Sequence, residues 1–246
     1  MSLVATQAFV LRSYKLGEND KIAILFTRDF GKVRFVAKGA RKIRSRFGAA
    51  FEVLTHLRIL FHYKENRDLL ILDKAEILFS PFEHQTSLRI AYYIFYFSEL
   101  INEFYPDHEK SQDAFTMLLN IKQALQKHQN LDFLARYIEL QLLHSQGILS
   151  SVAFCSQCNR PFESLLEKRY LGLQTEIFCR RCKSPESVVL SAQIVKSIDS
   201  FEKGSAQWAG TLAERTIDEL GSLNYLLITR FLGKELQSTK LRKFLV

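Results

Sequence analysis

The chain has 246 residues, of which 47% are hydrophobic and 24% are charged, which excludes a disordered protein and allows one to three domains. Its net charge is +8, and residues 1–80 alone hold 15 basic and 8 acidic residues, a net of +7. A charge excess confined to one third of the chain favours a polyanionic partner. Because no signal peptide opens the chain and no apolar run reaches the ~18 residues of a membrane span, we expect a soluble cytoplasmic protein.

The pattern of residues 1–80 predicts an all-β domain. Apolar and polar residues alternate in several runs, which are separated by turn signals such as Gly17-Glu18-Asn19-Asp20. The strands are expected at 3–12, at 21–27, around Val33, at 51–63 and at 69–78. Five short strands with basic residues on one side are typical of an OB-type barrel. This fold commonly binds single-stranded nucleic acid through a charged groove and stacking aromatic residues.

Residues 31–48 hold seven basic residues and no acidic residue. The first half of this stretch alternates like a strand, whereas the second half is too charged to be buried, which predicts an exposed loop. Lysine and arginine neutralise phosphates and release counterions, so a polyanion is the expected ligand; a solvated charge run is the alternative. The seven residues are Lys32, Arg34, Lys38, Arg41, Lys42, Arg44 and Arg46.

Three phenylalanines in this region have two possible roles. Phe35, Phe47 and Phe51 could stack on nucleobases, or they could pack in the barrel core. Phe35 and Phe51 occur in strand patterns, which favours the core, whereas Phe47 lies in the loop and fits either role equally well.

Residues 81–150 are predicted to be helical. Ser80-Pro81-Phe82-Glu83 combines a capping serine, a proline suited to the first helical position and a glutamate that completes a capping box. The first helix is expected to end before Tyr105-Pro106, and two more are expected at 114–128 and 131–146, followed by Gly147 as a left-handed residue. The aromatic-rich run 92–97 is expected in the core, and a groove for an amphipathic peptide is the alternative.

The four cysteines of the chain form its most specific motif. Twenty residues separate the CxxC pair Cys155 and Cys158 from the CxxC pair Cys179 and Cys182. This spacing matches a four-cysteine zinc site, in which each pair supplies two ligands of a tetrahedron. Disulfides are disfavoured in the cytoplasm, and a redox CxxC would need a βαβ unit that the pattern lacks. Four thiolates leave no position for water, so we expect one structural zinc ion per chain.

Residues 187–246 return to helical periodicity. Ser191 is expected to cap a helix that runs through residue 201, and apolar stripes predict further helices at 211–220 and 222–236. The predicted fold class is therefore α+β. An OB-fold barrel at 1–80 is followed by a helical domain in two parts, 81–150 and 187–246, with a zinc module inserted at 151–186.

Common signatures of catalysis are absent from the sequence. It has no GxxxxGK[ST] loop and no GxSxG, HExxH or GxGxxG motif. It also has no carboxylate cluster suited to two-metal nuclease chemistry. We therefore expect a protein that is not an enzyme and does not use ATP.

Several runs of the sequence have the pattern of a known family. They include Ala8-Phe9-Val10-Leu11-Arg12-Ser13-Tyr14, Gly17-Glu18-Asn19-Asp20-Lys21, Leu25-Phe26-Thr27 with Gly31-Lys32, and Ala37-Lys38-Gly39-Ala40-Arg41-Lys42 with Ser45-Arg46-Phe47-Gly48. Together with the paired CxxC motifs and Arg230-Phe231-Leu232-Gly233 with Ser238, these runs resemble the bacterial recombination mediator family RecO. Gln237 is a minor departure, since many members have lysine there.

The resemblance implies an OB-fold domain, a helical domain and a zinc module. It also implies binding to single- and double-stranded DNA, annealing of complementary strands without ATP, and action with RecR to load RecA onto strands coated with single-strand binding protein (SSB). The seven basic residues would contact DNA phosphates, and the helical domain would bind the C-terminal tail of SSB. The protein would act in the cytoplasm, at the nucleoid during repair.

Two functions of other classes fit the same sequence features. One is an RNA-binding OB and zinc protein of the translation machinery, and the other is a nuclease subunit. Salt-sensitive annealing of complementary DNA separates a recombination mediator from both, and metal-dependent cleavage of a strand would favour the nuclease.

Overall fold

A computed structural model describes residues 2–65, 67–83, 87–127, 129–204 and 212–244 of the chain. The chain forms two compact units. Unit 1 consists of Met1–Leu131 and Leu236–Val246, and unit 2 consists of Asp132–Glu235. The boundary lies inside the predicted helical segment 81–150, because the first two helices belong to the unit of the N-terminal strands. Within the described ranges, no helix is long and apolar enough to cross a membrane.

Unit 1 is built on a closed barrel of five strands in the order β1-β2-β3-β5-β4. Strand β1 pairs with β4 through its first half and with β2 through its second half. Strands β3 and β5 are parallel, and the other neighbours are antiparallel. This topology confirms the predicted OB-type barrel. The strands are β1 (Ser2–Leu16), β2 (Asp20–Thr27), β3 (Gly31–Ala37), β4 (His56–Tyr63) and β5 (Leu69–Phe79).

The fourth strand begins later than its alternation predicts. The sequence pattern extends the strand back to Phe51, whereas β4 begins at His56 and residues 51–54 form turns. The backbone turns at Leu54, which has a φ of 58° and donates its amide to the carbonyl of Val10 at 2.7 Å. The apolar residues before β4 pack into the barrel core without continuing the strand.

The three phenylalanines of the basic region are all buried in the barrel core. Burial of Phe35 and Phe51 confirms the favoured interpretation. Phe47, which fitted either role, is only 3% exposed and packs against Phe51 with ring centroids 5.3 Å apart. Its side chain therefore anchors the basic loop to the core and is not presented to a nucleobase.

Two helices, α1 (Leu88–Phe104) and α2 (Gln112–Gln126), complete most of unit 1. The predicted start of α1 at Ser80 is wrong, because β5 continues to Phe79 and residues 81–83 form the turn that leaves it. The end of α1 before Tyr105 is confirmed. Helix α2 is capped by Ser111, whose hydroxyl accepts the amide of Ala114 at 3.2 Å.

The aromatic-rich run of α1 lies mainly in the core of unit 1. Within residues 92–97, Phe95 is 40% exposed and the other side chains are buried. The Ser98 hydroxyl donates to the carbonyl of Leu11 at 2.6 Å, which fixes the helix on β1. The favoured interpretation of this run as core is confirmed for all of its residues except Phe95.

The C-terminal residues return to unit 1 through a 3-10 helix, Ser238–Phe244. Its start is held by Glu99 of α1, whose carboxylate accepts the amides of Gln237 at 2.7 Å and Ser238 at 2.8 Å. Amides at the start of a helix have no partner within it, and a carboxylate there also interacts favourably with the helix dipole.

His56 is a buried titratable residue at the contact between the barrel and α2. Its ring stacks on Phe9 at 4.3 Å, and its Nε2 lies 3.1 Å from Oε1 of Gln7. Burial, and secondarily the positive charge of Lys122, lowers the pKa of His56 from 6.5 to about 4. The folded protein therefore holds this ring neutral at pH values at which the unfolded chain would protonate it.

We expect His56 to make unit 1 sensitive to acid. Between pH 6.5 and about 4, His56 is protonated in the unfolded chain but stays neutral in the folded protein. The free energy of unfolding therefore decreases as the pH falls through this range. The loss should reach about 3 kcal/mol at pH 4. His56→Phe, which keeps the stack on Phe9, should remove this part of the pH dependence in urea unfolding. His62→Phe on the same strand is the control, and equal pH profiles for His56→Phe and the wild type would contradict the prediction.

Unit 2 contains three helices: α3 (Leu131–Ser145), which enters this unit at Asp132, α4 (Ala192–Glu202) and α5 (Glu214–Leu232). As predicted, Ser191 caps α4 by accepting the amide of Ile194 at 3.3 Å. Gly147, with a φ of 64°, is the left-handed residue after α3.

The helix break predicted between residues 220 and 222 is absent, because α5 continues through Gly221. A side chain at this position would collide with the guanidinium of Arg136 on α3. Arg136 pairs with the buried Glu139, which also accepts the Asn224 side-chain amide at 3.0 Å. Gly221 therefore allows α3 and α5 to approach around a buried polar cluster.

Between α3 and α4 the chain forms a small module with three two-residue strands, Tyr170–Leu171, Ile177–Phe178 and Val188–Val189, numbered β6 to β8. Their order in the sheet is β7-β6-β8. This module carries the four cysteines, so it is inserted between two helices of unit 2.

Candidate nucleic-acid interface and metal centre

The basic loop, defined here as residues 38–48, is a series of tight turns. The amide of Lys42 donates to Gly39 and that of Ser45 donates to Lys42, at 3.1 and 2.9 Å. Contacts with the β1–β2 turn hold the start of the loop: Gly39 donates its amide to Oδ1 of Asp20 at 2.7 Å. Arg41 donates from its guanidinium to the carbonyl of Gly17 at 2.7 Å. The loop therefore has a defined shape that can present its cations in fixed positions.

Five cations of the basic loop are exposed: Lys38, Arg41, Lys42, Arg44 and Arg46. Of these, Lys38, Lys42 and Arg44 have no ion pair or side-chain hydrogen bond to any residue that the structure describes. Ile43, between them, is fully exposed. Unpaired surface cations attract anions at little cost, since no internal ion pair has to break first.

Lys32 and Arg34, which are predicted to contact DNA together with these cations, are placed differently. Lys32 is 9% exposed, and its ammonium donates to the carbonyl of Asn102 at 2.7 Å and pairs with Asp107 at 3.2 Å. Arg34 pairs with the same carboxylate at 2.7 Å and is half exposed. Lys32 therefore fixes α1 and the chain after it to β3, and it is not available to an external phosphate.

The sequence offered no signal for this pairing. Asp107 lies far along the chain from Lys32, and only the fold brings them together. Gly31 is part of the same junction, because its φ of 66° and the backbone of Glu109 against it leave no room for a side chain. Polar contacts of this kind depend on tertiary structure, so charge patterning alone could not separate Lys32 from its exposed neighbours.

Two surface hollows adjoin the basic loop. One, of about 710 Å³, lies between the β1–β2 turn and the start of the loop, where Lys38 and Lys42 face Glu18 and Asp20. The other, of about 500 Å³, lies on the outer face of β4 and β5 and includes Arg46 from the end of the loop. The guanidinium of Arg46 lies 5.0 Å above the Phe47 ring and 3.8 Å from Asp73.

The second candidate site brings the four cysteines together. The sulfur atoms of Cys155, Cys158, Cys179 and Cys182 all lie within 4.8 Å of one another. A tetrahedron with metal–sulfur bonds of about 2.3 Å has sulfur atoms about 3.8 Å apart, so this cluster needs little adjustment to hold a metal ion. In the described chain it is the one group of three or more potential ligand residues at such distances.

Backbone turns create this cluster at both CxxC pairs. The carbonyl of Cys155 accepts the amide of Asn159 at 2.9 Å, and the carbonyl of Cys179 accepts those of Cys182 and Lys183 at 3.1 Å. Between the two turns, the amide of Cys179 points at the sulfur of Cys155 at 3.4 Å. Sulfur atoms that receive backbone amides are suited to carry negative charge.

The electrostatics of the cluster are those of a site that needs a cation. Burial acts to raise the pKa of Cys155, but amide donors, from Cys158 first, outweigh it and lower the pKa to about 6. Burial and neighbouring thiols instead raise the pKa of Cys182 to about 12. Four adjacent thiols cannot all ionise by themselves, and a bound metal ion would supply the missing positive charge.

A buried arginine supports the module around the cysteines. Arg169 is 2% exposed, donates to the carbonyls of Val152 at 2.6 Å and Glu167 at 2.8 Å, and lies 4.3 Å above the ring of Phe162. The sequence around Arg169 does not signal its burial, because arginine is rarely buried and the carbonyls that receive its hydrogen bonds come together only in the fold. Its guanidinium holds the loop between the two CxxC pairs.

Comparison with known proteins agrees with this architecture. Residues 1–81 match the family model described as "Recombination protein O N terminal", and residues 85–240 match "Recombination protein O C terminal". The chain belongs to the RecO family. The two matched segments leave almost none of the chain outside the family, so the resemblance seen in the sequence is confirmed.

Curated RecO relatives align with most of the chain. DNA repair protein RecO of Syntrophus aciditrophicus is 26% identical over 96% of this chain and 93% of its own length. The relative from Geobacter metallireducens is 29% identical over 88% of this chain and 92% of its own length. The relative from Caldicellulosiruptor bescii is 26% identical over 80% of this chain and 80% of its own length. A role in DNA repair is the family function that these comparisons support.

Proposed function

We propose that this protein is a DNA-repair and recombination mediator that binds single- and double-stranded DNA and anneals complementary strands without ATP. The observation that carries the proposal is the row of exposed cations on the basic loop, Lys38, Arg41, Lys42, Arg44 and Arg46. Membership in the RecO family supports it. Phosphates repeat along any strand, so such a row binds DNA without reading its bases.

Neutralised phosphates also explain why binding would promote annealing. Two complementary strands repel each other through their charges, and a protein that covers phosphates on both lowers this repulsion. No bond is made or broken in this step, so no catalytic group is required. We accordingly propose a mediator that is not an enzyme.

We propose that the cysteine cluster holds one structural zinc ion. The four sulfur ligands, their spacing and the amides around Cys155 fit this ion, and four thiolates leave no coordination position for water. When bound, zinc would join residues 155–158 to residues 179–182. The ion would act only as a structural cross-link between these two segments. The proposed DNA contacts would remain on unit 1.

The proposed partners are RecR, SSB and, indirectly, RecA. Family membership supports this part of the proposal, in which the protein works with RecR to help load RecA onto strands coated with SSB. The C-terminal tail of SSB is expected to be acidic and hydrophobic, so it needs an exposed apolar side chain on the helical part of the protein. Phe95 of α1 offers one, at 40% exposure.

A strand-annealing assay tests the proposed function directly. Complementary labelled oligonucleotides should anneal faster with the protein than without it, with and without saturating SSB, and the effect should weaken as salt increases. Matched RNA strands test the alternative of a translation factor, and added Mg²⁺ or Mn²⁺ tests for cleavage. Equal annealing rates with and without protein, or preferential binding of RNA, would refute the proposal.

We expect Phe95→Ala to weaken binding of a labelled SSB tail peptide severalfold at low salt. The reason is that this exposed ring would lose its apolar contact area with the peptide. Leu119→Ala, which removes an exposed apolar side chain from α2, is the matched control. Fluorescence anisotropy measures both, and the absence of saturable binding to the wild type would count against a tail site.

A further inference from the structure

The outer face of β4 and β5 carries a basic hollow that neither the family motifs nor the loop pattern predicts. Ala5, Leu60 and Lys74 are neighbours in register across β1, β4 and β5. Arg58 and Glu76 are directly paired two residues away on β4 and β5, so they lie on the same outer face. Together these side chains surround a space of about 500 Å³ with an apolar floor.

Charge at the rim of this hollow is predominantly positive. Arg46, Arg58 and Lys74 face one acidic residue, Glu76, among the described residues that line it. Glu76 pairs with Arg58 at 2.9 Å, but both side chains are more than half exposed, and ion pairs of this kind are weak in water. The rim can therefore release Arg58 to an anionic ligand.

The hollow is continuous with the proposed DNA interface. The start of the basic loop, with Lys38 and Lys42, lines the hollow beside the β1–β2 turn, and Arg46 near its end lines the hollow on β4 and β5. Here the guanidinium of Arg46 lies 5.0 Å above the Phe47 ring and 3.8 Å from Asp73. A strand that follows the cations of the loop would therefore reach Arg58 and Lys74 next.

We propose that this hollow is a second contact site for single-stranded DNA, in which Arg58 and Lys74 bind phosphates beyond the loop and the Ala5–Leu60 floor accepts an unpaired base. The proposal rests on the proposed function, because it extends the same DNA path. A single strand fits better than a duplex, since only unpaired bases can turn towards an apolar floor. The floor has no hydrogen-bonding pattern of its own, so the site would not select a sequence.

The test uses the full chain with Arg58→Gln and Lys74→Gln combined. On single strands, each lost phosphate contact lowers the slope of log affinity against log salt by about 0.7, so the double variant should lose about 1.4. If affinities converge near 1 M salt, this corresponds to a loss of roughly 25-fold at 0.1 M salt. Duplex binding should fall less. Fluorescence anisotropy over a salt series measures both, and urea unfolding checks the fold.

The matched control is Lys64→Gln with Lys110→Gln. These two exposed cations belong to the same unit but line a different hollow, beside Phe30 and Tyr63. Equal losses in both double variants would overturn the proposal, because the effect would then come from net charge alone. A second variant, Ala5→Glu, places a negative charge at the floor and should also weaken single-strand binding.

The outcomes separate this inference from the proposed function. No DNA binding by the wild type refutes the proposed function itself. Wild-type binding that depends on the basic loop but is unchanged by the Arg58 and Lys74 substitutions overturns only the second site. That result would indicate that the hollow binds a ligand of another class, such as an acidic peptide.

Discussion

Replacing Arg41, Lys42 and Arg44 together by alanine is expected to lower the salt slope of DNA binding by about two units on single strands and nearly three on duplex. The three residues are exposed at the centre of the basic loop. The five exposed cations of the basic loop should by themselves contribute about 3.5 to the wild-type slope on single strands and about 4.5 on duplex, and the second site would add about 1.4 on single strands. At 0.1 M salt the single-strand affinity should fall about 100-fold, equally for all sequences.

A charge-preserving variant is the control for this experiment. Arg41→Lys, Lys42→Arg and Arg44→Lys combined keep three positive charges, so the salt slope should stay within about half a unit of the wild type. The alanine variant should keep its fold, because these side chains lie outside the barrel core. An unchanged slope would show that DNA binds elsewhere, and Arg180, Arg181 and Lys183 beside the second CxxC pair would be the next cations to test.

The barrel was predictable because its strands leave a local signal. Strands β4 and β5 largely alternate between more buried and more exposed residues, and such alternation is visible in a single sequence. The error at Phe51 shows the limit of the signal: an irregular segment whose apolar residues enter the core can imitate the alternation of a strand. Strand β4 does not extend back to Phe51, because the backbone turns at Leu54. This residue is left-handed and donates its amide to the carbonyl of Val10.

Helix boundaries depended on competition between neighbouring elements. Ser80 and Pro81 are residue types that favour the N-terminus of a helix. However, β5 extends to Phe79, and α1 begins only at Leu88. Gly221 has poor helix propensity, yet α5 continues through it, and the guanidinium of Arg136 occupies the space that a side chain at this position would enter. In both cases tertiary contacts decided against the local preference.

The two candidate sites differ in how far the sequence could specify them. The cysteine cluster follows from spacing, since two CxxC turns bring four sulfur atoms together. The proposed DNA contacts follow only from composition, which cannot tell the buried Lys32 from the exposed Lys38. Arg58 and Lys74 were missed because each is a single cation within a strand, and only the closed barrel places them beside Arg46.

Protein purified without chelator is expected to contain about one zinc ion per chain, and Cys179→Ser should abolish this binding. Structural zinc sites contribute about 10–16 kcal/mol of apparent binding free energy, and that energy is coupled to local folding. The module has little regular structure of its own, since its strands are two residues long and its sheet has three of them. Loss of one ligand should therefore expose residues between 150 and 190 to proteolysis.

The matched control for Cys179→Ser is Gln157→Ala, which changes a side chain between two ligands but keeps its backbone amide. Gln157→Ala should retain full zinc content and protease resistance in metal analysis and limited proteolysis. DNA binding should be much less affected than the module in Cys179→Ser, because the basic loop belongs to unit 1 and the cysteines belong to unit 2. Substoichiometric zinc in the wild type would contradict the metal assignment, and full zinc content in Cys179→Ser would show that the ligand set is not the four cysteines.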